Sequence, residues 1–383
     1  MSLYPSSVKA LLKNGGPFQP GDLFVQKDLA RTLDAISKSG GDAFYRGPVA
    51  RLTSDFYEKH GGLIRFDDLA SYQPEETSPI RTAYKGIDVY QSAPNSQGIV
   101  LLLALNMLEG FDLKAMGHNS ADYVHTIAET LKLAFADRDR WVADPRFSKV
   151  PVEALLSKSY AGRRRKLIGE RARPGAAEFG QPGETSSFSI ADRFGNLVSV
   201  THSVNGTFGS CVVVEGGGFV LNNRLQYFSL TDGDVNVLQP GKRPRHTINP
   251  ALALKDGKPL LAWNTPGGDN QPQAMLQAFL NLVEFGMNPQ QAVEAATVTT
   301  TNFHASNYPQ AVGDKLLIPR ILADRIGDAL RARGHNLDVS PLQRPYEQQP
   351  SGAGAVKMIW VDPGSGILHA AVSPAKDNYA LAW

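Results

Sequence analysis

One hydroxyl-rich block constrains this chain more than any other stretch. It runs Gly183-Glu184-Thr185-Ser186-Ser187-Phe188-Ser189-Ile190-Ala191-Asp192, then through Gly195-Asn196 into Val198-Ser199-Val200-Thr201-His202-Ser203-Val204-Asn205-Gly206-Thr207-Phe208-Gly209. Phe188 and Ile190 alternate with Ser187 and Ser189, a period of two. Phe194-Gly195-Asn196 supplies turn chemistry, and Val198, Val200 and His202 alternate on the return. The block therefore predicts a β-hairpin. A Pro/Gly-rich segment, Arg171 to Glu184, delivers the chain to the hydroxyl residue that opens the first strand.

A hydroxyl at such a strand start suits an N-terminal nucleophile hydrolase, which cuts its own backbone to make a Thr, Ser or Cys the new N-terminus. The freed α-amine has a pKa near ~8, so it can take the proton from its own hydroxyl at working pH. A Thr paired with its own amine is one form of activated nucleophile. Taken alone, hydroxyl-rich strand starts are common, and the pattern also fits an ordinary half-buried strand.

The block resembles the start of the small subunit of the γ-glutamyltranspeptidase family. That pattern reads T-[TS]-x-[FY]-S-[VI]-x-D, then G-N-x-V-[SA]-V-T. The family's N-x-T-F-G, L-N-N, P-G-K-R-P and P-G-G follow here in order, at Asn205–Gly209, Leu221–Asn223, Pro240–Pro244 and Pro266–Gly268. Upstream, Val25 to Tyr72 and Ala134 to Pro145 are also similar to family segments. The resemblance covers Gly21 to Trp383. It implies an α+β fold, a four-layer αββα sandwich of the N-terminal nucleophile type. It also implies self-cleavage between Glu184 and Thr185. Residues 1–184 would be the mainly helical end of a large subunit, and 185–383 a small catalytic subunit, both contributing to one fold.

Composition excludes several other classes. The chain has 383 residues, 42% of them apolar, and a net charge of +2 with no long single-sign run. Neither nucleic acid nor an anionic membrane is implied. The longest apolar run, Ile99 to Leu105, is too short to span a bilayer. Met1-Ser2-Leu3-Tyr4 does not open a signal peptide, so the sequence assigns no compartment, although family members are often exported. The single cysteine, Cys211, rules out an internal disulfide framework, and its apolar neighbours predict a small core residue. His118 and His125 lack a second ligand pair, so no metal site is expected, and no cofactor motif is found.

The order of elements supports the same fold. Helices are expected over Asp28 to Ser39, Val49 to Lys59 and a short stretch after Asp67. Two strands flank Lys85-Gly86. The apolar run Ile99 to Leu108 and a longer run capped by Ser120 read as helices. So does Val152 to Gly169, with Arg163 to Lys166 as a solvated turn. Strands are expected at Ser210 to Val214, Phe219 to Leu221, Ile248 to Leu254 and Leu260 to Asn264. Helices follow over Gln271 to Phe285, from Pro289, and over Pro319 to Arg333. A hairpin over Ala355 to Val372 closes the chain. Helices, then strands, then helices fit two packed sheets with helices outside.

The resemblance implies roles residue by residue. Thr185 is the nucleophile, for self-cleavage and for turnover. Ser203 matches a hydroxyl position, usually Thr, that supports it. Gly267 and Gly268 match an oxyanion hole, which needs backbone N–H groups unobstructed by side chains. Asn205 matches a position that contacts the acyl group. Without the resemblance, Ser203 is a polar strand residue and Pro-Gly-Gly a turn.

The departures concern recognition. Tyr227 occupies the place of an Asp that reads the α-amino group of a γ-glutamyl moiety, with Arg224 as a basic neighbour. An uncharged phenol does not pair with an ammonium as a carboxylate does. Two serines that hold the substrate carboxylate in the family are His246 and Thr247 here, with Arg245 before them; Arg245 or His246 could hold a carboxylate. The chain also matches the family from a late starting point, which implies an absent N-terminal segment or a separate chain in its place.

Two readings remain open. One is an amidohydrolase or acyltransferase that takes γ-glutamyl or glutaryl-type amides and whose two fragments stay together as a heterodimer. The other is an uncleaved, inactive remnant that acts as a partner subunit.

Overall fold

The computed structural model describes residues 2–174, 184–340, 354–375 and 378–383. Contacts divide the chain into two compact units, Met1–Glu76 with Val204–Asn223, and Thr77–Ser203 with Arg224–Trp383. The proposed cut at Glu184 does not follow this division, because the second unit draws on residues from both sides of it.

The first unit holds five helices, α1 Pro5–Leu11, α2 Lys27–Ser39, α3 Gly41–Tyr45, α4 Pro48–Lys59 and α5 Phe66–Ala70. The start of α4 is set by Pro48 in the first turn, where its missing N–H costs nothing. Val49, Ala50 and Thr53 form the buried face of that helix. Asp28, expected as a cap, lies inside the first turn of α2 and pairs with Arg31.

Residues 204–223 complete this unit, and two expectations are corrected there. Ser210 to Val214 and Phe219 to Leu221 form an irregular antiparallel pair rather than two regular strands: around the bridge between Val213 and Val220, the Leu221 N–H donates to the Val212 carbonyl at 2.9 Å and the Val214 N–H to the Phe219 carbonyl at 3.0 Å. Gly216 and Gly218, with φ of 78° and 71°, form the turn between the two segments. Cys211 is half-buried and free rather than a core residue. Its φ is 63°, and its carbonyl accepts from Ser7 Oγ at 2.7 Å.

The second unit contains β1 Ile80–Tyr84, β2 Ile87–Gln91, α6 Ile99–Leu108, α7 Leu113–Met116, α8 Ala121–Trp141, α9 Val152–Leu155 and α10 Lys158–Arg165. It continues with β3 Glu184–Ala191, β4 Leu197–Asn205 (its last two residues lie in the first unit), β5 Ala251–Lys255, β6 Lys258–Asn264, α11 Gln271–Val283 and α12 Pro289–Glu294. The last elements are β7 Thr299–Thr300, β8 Lys315–Pro319, α13 Arg320–Ala332, β9 Asn336–Ser340, β10 Lys357–Val361 and β11 Leu368–Val372.

A six-stranded sheet in the order β1-β2-β5-β6-β10-β11 is antiparallel throughout. The β1–β2 turn uses Lys85 and Gly86 at φ of 48° and 82°, the left-handed pair that a two-residue hairpin requires. Helix α6 carries ten residues, all buried, and packs with α8 and α11 in the core. Ser120 starts α8 by accepting from the Tyr123 N–H. The two-stranded β3–β4 sheet lies against β6 and β10. Its other face carries Phe188, Ile190 and Val198, exposed by 41%, 50% and 47%.

The stretch Val152 to Gly169, expected as one helix, is broken. Ser157 accepts from the Tyr160 N–H and so starts α10 as a separate helix after α9. Arg164 on α10 is no solvated turn residue, since it pairs with the buried carboxylate of Asp137 at 3.0 Å. Residues 248–250 do not join β5, which begins at Ala251.

Candidate active site

Thr185 is the second residue of β3, and its Oγ1 donates to Ser203 Oγ on β4 at 3.1 Å. The alternation that puts Phe188 and Ile190 outside turns Ser187, Ser189, Ser199, Thr201 and Ser203 towards β6 and β10. This inward face is polar, so it needs partners. Asn264 at the end of β6 supplies several: its Nδ2 donates to Phe188 O at 2.8 Å and to Ser189 and Ser199 Oγ, both at 2.9 Å. Lys357 Nζ on β10 donates to Ser187 Oγ at 3.3 Å. A cleft of about 400 Å³ opens beside Thr185, lined also by Pro266, Lys357, Met358 and Tyr379. Pro266 directly precedes Gly267-Gly268, so the loop expected to hold an oxyanion starts at the cleft beside Thr185.

Most of the expected residues of the second unit join into one run of contacts. Arg224 NH2 donates to the Ser203 carbonyl at 3.3 Å, and the Arg224 guanidinium lies 5.3 Å from the centre of the Tyr227 ring. The Tyr227 hydroxyl and Thr247 Oγ1 share a hydrogen bond of 3.0 Å. Burial pushes the Tyr227 phenol up from its ordinary value, against the pull of Arg224, so it is a neutral hydroxyl. Gln97, fully buried, reaches from the Thr247 carbonyl to the Gly268 carbonyl, at 3.5 and 3.1 Å.

Arg245 is buried and lines a polar cavity of about 130 Å³ with Asp139, Tyr227, Asp234 and Asn236. It pairs with Asp139 at 3.4 Å. Burial and the neighbouring Arg138 guanidinium lower its pKa. His246 is pushed down to about 3 by desolvation and then by Arg224 and Arg243. Its Nδ1 already accepts from the Ile248 N–H at 3.2 Å, so His246 is a neutral ring, and the charges acting on it are those of Arg224 and Arg243.

Asn205 belongs to the first unit, where it is buried with φ of 77°. Asn223 there accepts from the Gly206 N–H at 3.0 Å, the capped-turn role open to such an asparagine. The linker 175–183 lies outside the described residues, while the Glu184 backbone opens β3. No helix is long and apolar enough to cross a membrane, and among the described residues no group of three His, Cys, Asp or Glu side chains is placed to hold a metal.

Sequence reasoning missed Gln97, Arg138, Asp269 and Lys357. Arg138 sits in Ala136-Asp137-Arg138, which reads as helix end, and Asp269 follows the Gly pair directly. Arg138 is fully buried, with NH1 donating to Asp269 at 2.6 Å and NH2 to Asp139 at 2.7 Å. Burial alone would weaken its charge, but the Asp139 and Asp269 carboxylates outweigh that and raise its pKa.

Known proteins share both sequence and fold with this chain. The acylase ACY 1 proenzyme of Pseudomonas sp. (strain SE83) is 39% identical over 341 residues, covering 88% of this chain and 59% of the relative. The glutathione hydrolase proenzyme of Escherichia coli (strain K12) is 34% identical over 384 residues, covering 94% and 62%. The chain thus spans less than two-thirds of the length of these curated relatives. The crystal structure of cephalosporin acylase from Bacillus halodurans superposes with a TM-score of 0.87 at 34% identity, over 98% of this chain and 66% of that one. The α+β, four-layer αββα fold of the N-terminal nucleophile hydrolases is therefore the fold of this chain. The family model described as gamma-glutamyltranspeptidase matches residues 1–383, and the chain belongs to the gamma-glutamyltranspeptidase family, whose glutathione hydrolases and acylases are its relatives.

Proposed function

We propose that this chain is a self-cleaving amidohydrolase whose nucleophile is Thr185. The hydrogen bond between Thr185 Oγ1 and Ser203 Oγ, beside a cleft that Pro266 borders just before Gly267-Gly268, carries the reading. In self-cleavage Thr185 Oγ1 attacks the Glu184 carbonyl. The Glu184–Thr185 C–N bond breaks as the C–O ester forms, and the amide nitrogen leaves as the α-amine. Water then hydrolyses the ester, leaving a Glu184 carboxylate and a free Thr185 hydroxyl. In turnover the α-amine takes the hydroxyl proton, Oγ1 attacks the substrate amide, and the proton passes to the leaving amine. Water or an acceptor amine removes the acyl group. Ser203 orients the nucleophile, and the Gly267 and Gly268 N–H groups stabilise the developing oxyanion.

The acyl group is an amide-linked dicarboxylic acid, of glutaryl or γ-glutamyl type. Tyr227 offers a hydroxyl already engaged with Thr247 where a carboxylate would bind an ammonium, which favours an acyl group without an α-amine. We assign the distal carboxylate to Arg245, which lines a polar cavity with Tyr227.

The test is the intact mass of the purified protein under denaturing conditions, with Thr185→Ala beside it. The wild type is expected as two fragments meeting at Glu184–Thr185, and Thr185→Ala as one full-length chain inert towards γ-glutamyl-p-nitroanilide and glutaryl-p-nitroanilide. A wild type that remains a single inert species overturns the reading.

A further inference from the structure

The Gly267-Gly268 loop lacks torsional restraint of its own. Gly267 has φ of 124° and Gly268 has φ of 56°, both in regions that glycine enters freely. A pair of glycines can rotate its peptide planes at little cost, and rotation would turn an N–H away from the reacting oxygen. Each plane is instead held through its carbonyl. The Gly267 carbonyl accepts from the Asn270 N–H at 2.9 Å, so the Gly268 N–H, on the opposite side of the same rigid plane, faces away from that turn. The next plane, Gly268–Asp269, shares the Gly268 Cα with it and is held through the Gly268 carbonyl, which accepts from the Gln271 N–H and from Gln97 Nε2 at 3.1 Å.

Gln97 is itself held. Its Oε1 accepts from Arg138 NH1 at 2.9 Å, which fixes the orientation of the amide. The Arg138 guanidinium lies 4.6 and 5.2 Å from the centres of the Phe135 and Phe303 rings. The same NH1 donates to Asp269, the residue after Gly268, and Asp269 also accepts from the Ser306 N–H at 2.7 Å. The Gly268–Asp269 peptide is thus held on both sides. The Gln97 N–H donates to the His246 carbonyl at 3.0 Å, so one residue links the loop to the segment before Thr247. A fully buried guanidinium is costly compared with an apolar side chain of similar size, and two carboxylates and a buried amide are committed to it.

We propose that Gln97 and Arg138 are positioning residues that fix the Gly268–Asp269 plane and so, through the shared Gly268 Cα, limit rotation of the preceding plane whose N–H meets the oxyanion, tying that restraint to the acyl-binding segment. This rests on the oxyanion role proposed above for the glycine pair. It makes no new bond to substrate. Its consequence is that occupancy of the acyl segment and stabilisation of the transition state are read through one amide side chain.

The test compares full-length wild type, Thr185→Ala, Gln97→Glu and Asp269→Asn. The probes are glutaryl-p-nitroanilide, γ-glutamyl-p-nitroanilide and a carboxyalkyl boronic acid, whose boron becomes tetrahedral on a hydroxyl nucleophile. A carboxylate in place of the Gln97 amide keeps its size but loses the donor to Gly268. Gln97→Glu is expected to lower kcat by about 10- to 100-fold with KM held within about threefold, and to weaken the boronate in parallel with kcat/KM. Asp269→Asn, less buried and still able to accept from Ser306, is expected to show the same pattern more mildly. A kcat within about threefold of wild type in Gln97→Glu overturns the proposal, as does a loss of kcat that leaves boronate affinity unchanged. Loss of soluble protein in both variants also overturns it, assigning the network to folding alone. If the wild type is active and Thr185→Ala inert, a null result at Gln97 defeats this inference only; an inert, uncleaved wild type defeats the nucleophile assignment and this inference with it.

Discussion

At the scale of single residues, two hydroxyl contacts carry the proposed chemistry. Ser203 offers Thr185 one partner at 3.1 Å, and its removal leaves the nucleophile free to rotate. Ser203→Ala is expected to slow both self-cleavage and turnover by about 10- to 100-fold, at or below the low end of the range for a proton-transfer group because Ser203 only orients the hydroxyl, with fragment appearance over time as the readout. Tyr227 is the residue proposed to select the acyl group. Tyr227→Asp places a carboxylate beside Thr247 and Arg224, so hydrolysis of γ-glutamyl-p-nitroanilide should rise relative to glutaryl-p-nitroanilide. An unchanged ratio would remove Tyr227 from the selection of the acyl group. Both residues were legible in the sequence because they sit at fixed offsets in contiguous motifs. Gln97 and Asp269 were not, because their meaning comes from contacts 171 and 37 positions away, with Gly268 and Ser306 respectively.

At the scale of elements, local signals read well and non-local ones did not. The Ser120 cap, the Lys85-Gly86 turn and the apolar run of α6 announced themselves within a few residues, whereas the Ser157 cap did not. The parallel β8–β9 pair was missed, since it depends on α13 carrying the chain back to lie alongside. The same return brings His335, just beyond α13, to His125 on α8, with His335 Nε2 and His125 Nδ1 at 2.8 Å. Burial, then Lys132 and His125, push His335 down to about 4; Glu129 opposes this and Arg333 adds to it. Between the ordinary 6.5 and about 4 the unfolded chain binds a proton that the folded one does not, so stability falls as pH falls through that window. Lowering the pH from 7 to 4 should cost the fold about 1–3 kcal/mol through this residue, and His335→Gln should flatten that part of the profile of denaturant midpoint against pH. His125 Nε2 also contacts the Gly169 carbonyl at 2.8 Å, and the Ala172 N–H donates to Arg333 O at 2.7 Å. The pair therefore anchors the chain just before the segment that leads to Glu184.

At the scale of the whole molecule, the sheet order determines what cleavage can release. Strands β1 and β2 precede Glu184, yet β2 pairs with β5 over five residues, Ile87 with Lys255 through Gln91 with Ala251. Helix α6, also before the cut, packs against α11 after it, with all ten of its residues buried. Separating the fragments would expose this core, and each buried leucine of α6 is worth about 2 kcal/mol of hydrophobic transfer before any cavity is counted. Scission of one peptide bond at Glu184 removes chain connectivity and none of these contacts. The two fragments are therefore expected to co-elute on a sizing column in native buffer, to separate only in denaturant, and to melt in one transition. Leu102→Ala in α6 should lower that single transition for both fragments together, by the equivalent of about 2–5 kcal/mol. Separate melts for the two fragments would show that the six-stranded sheet does not bind them as one core.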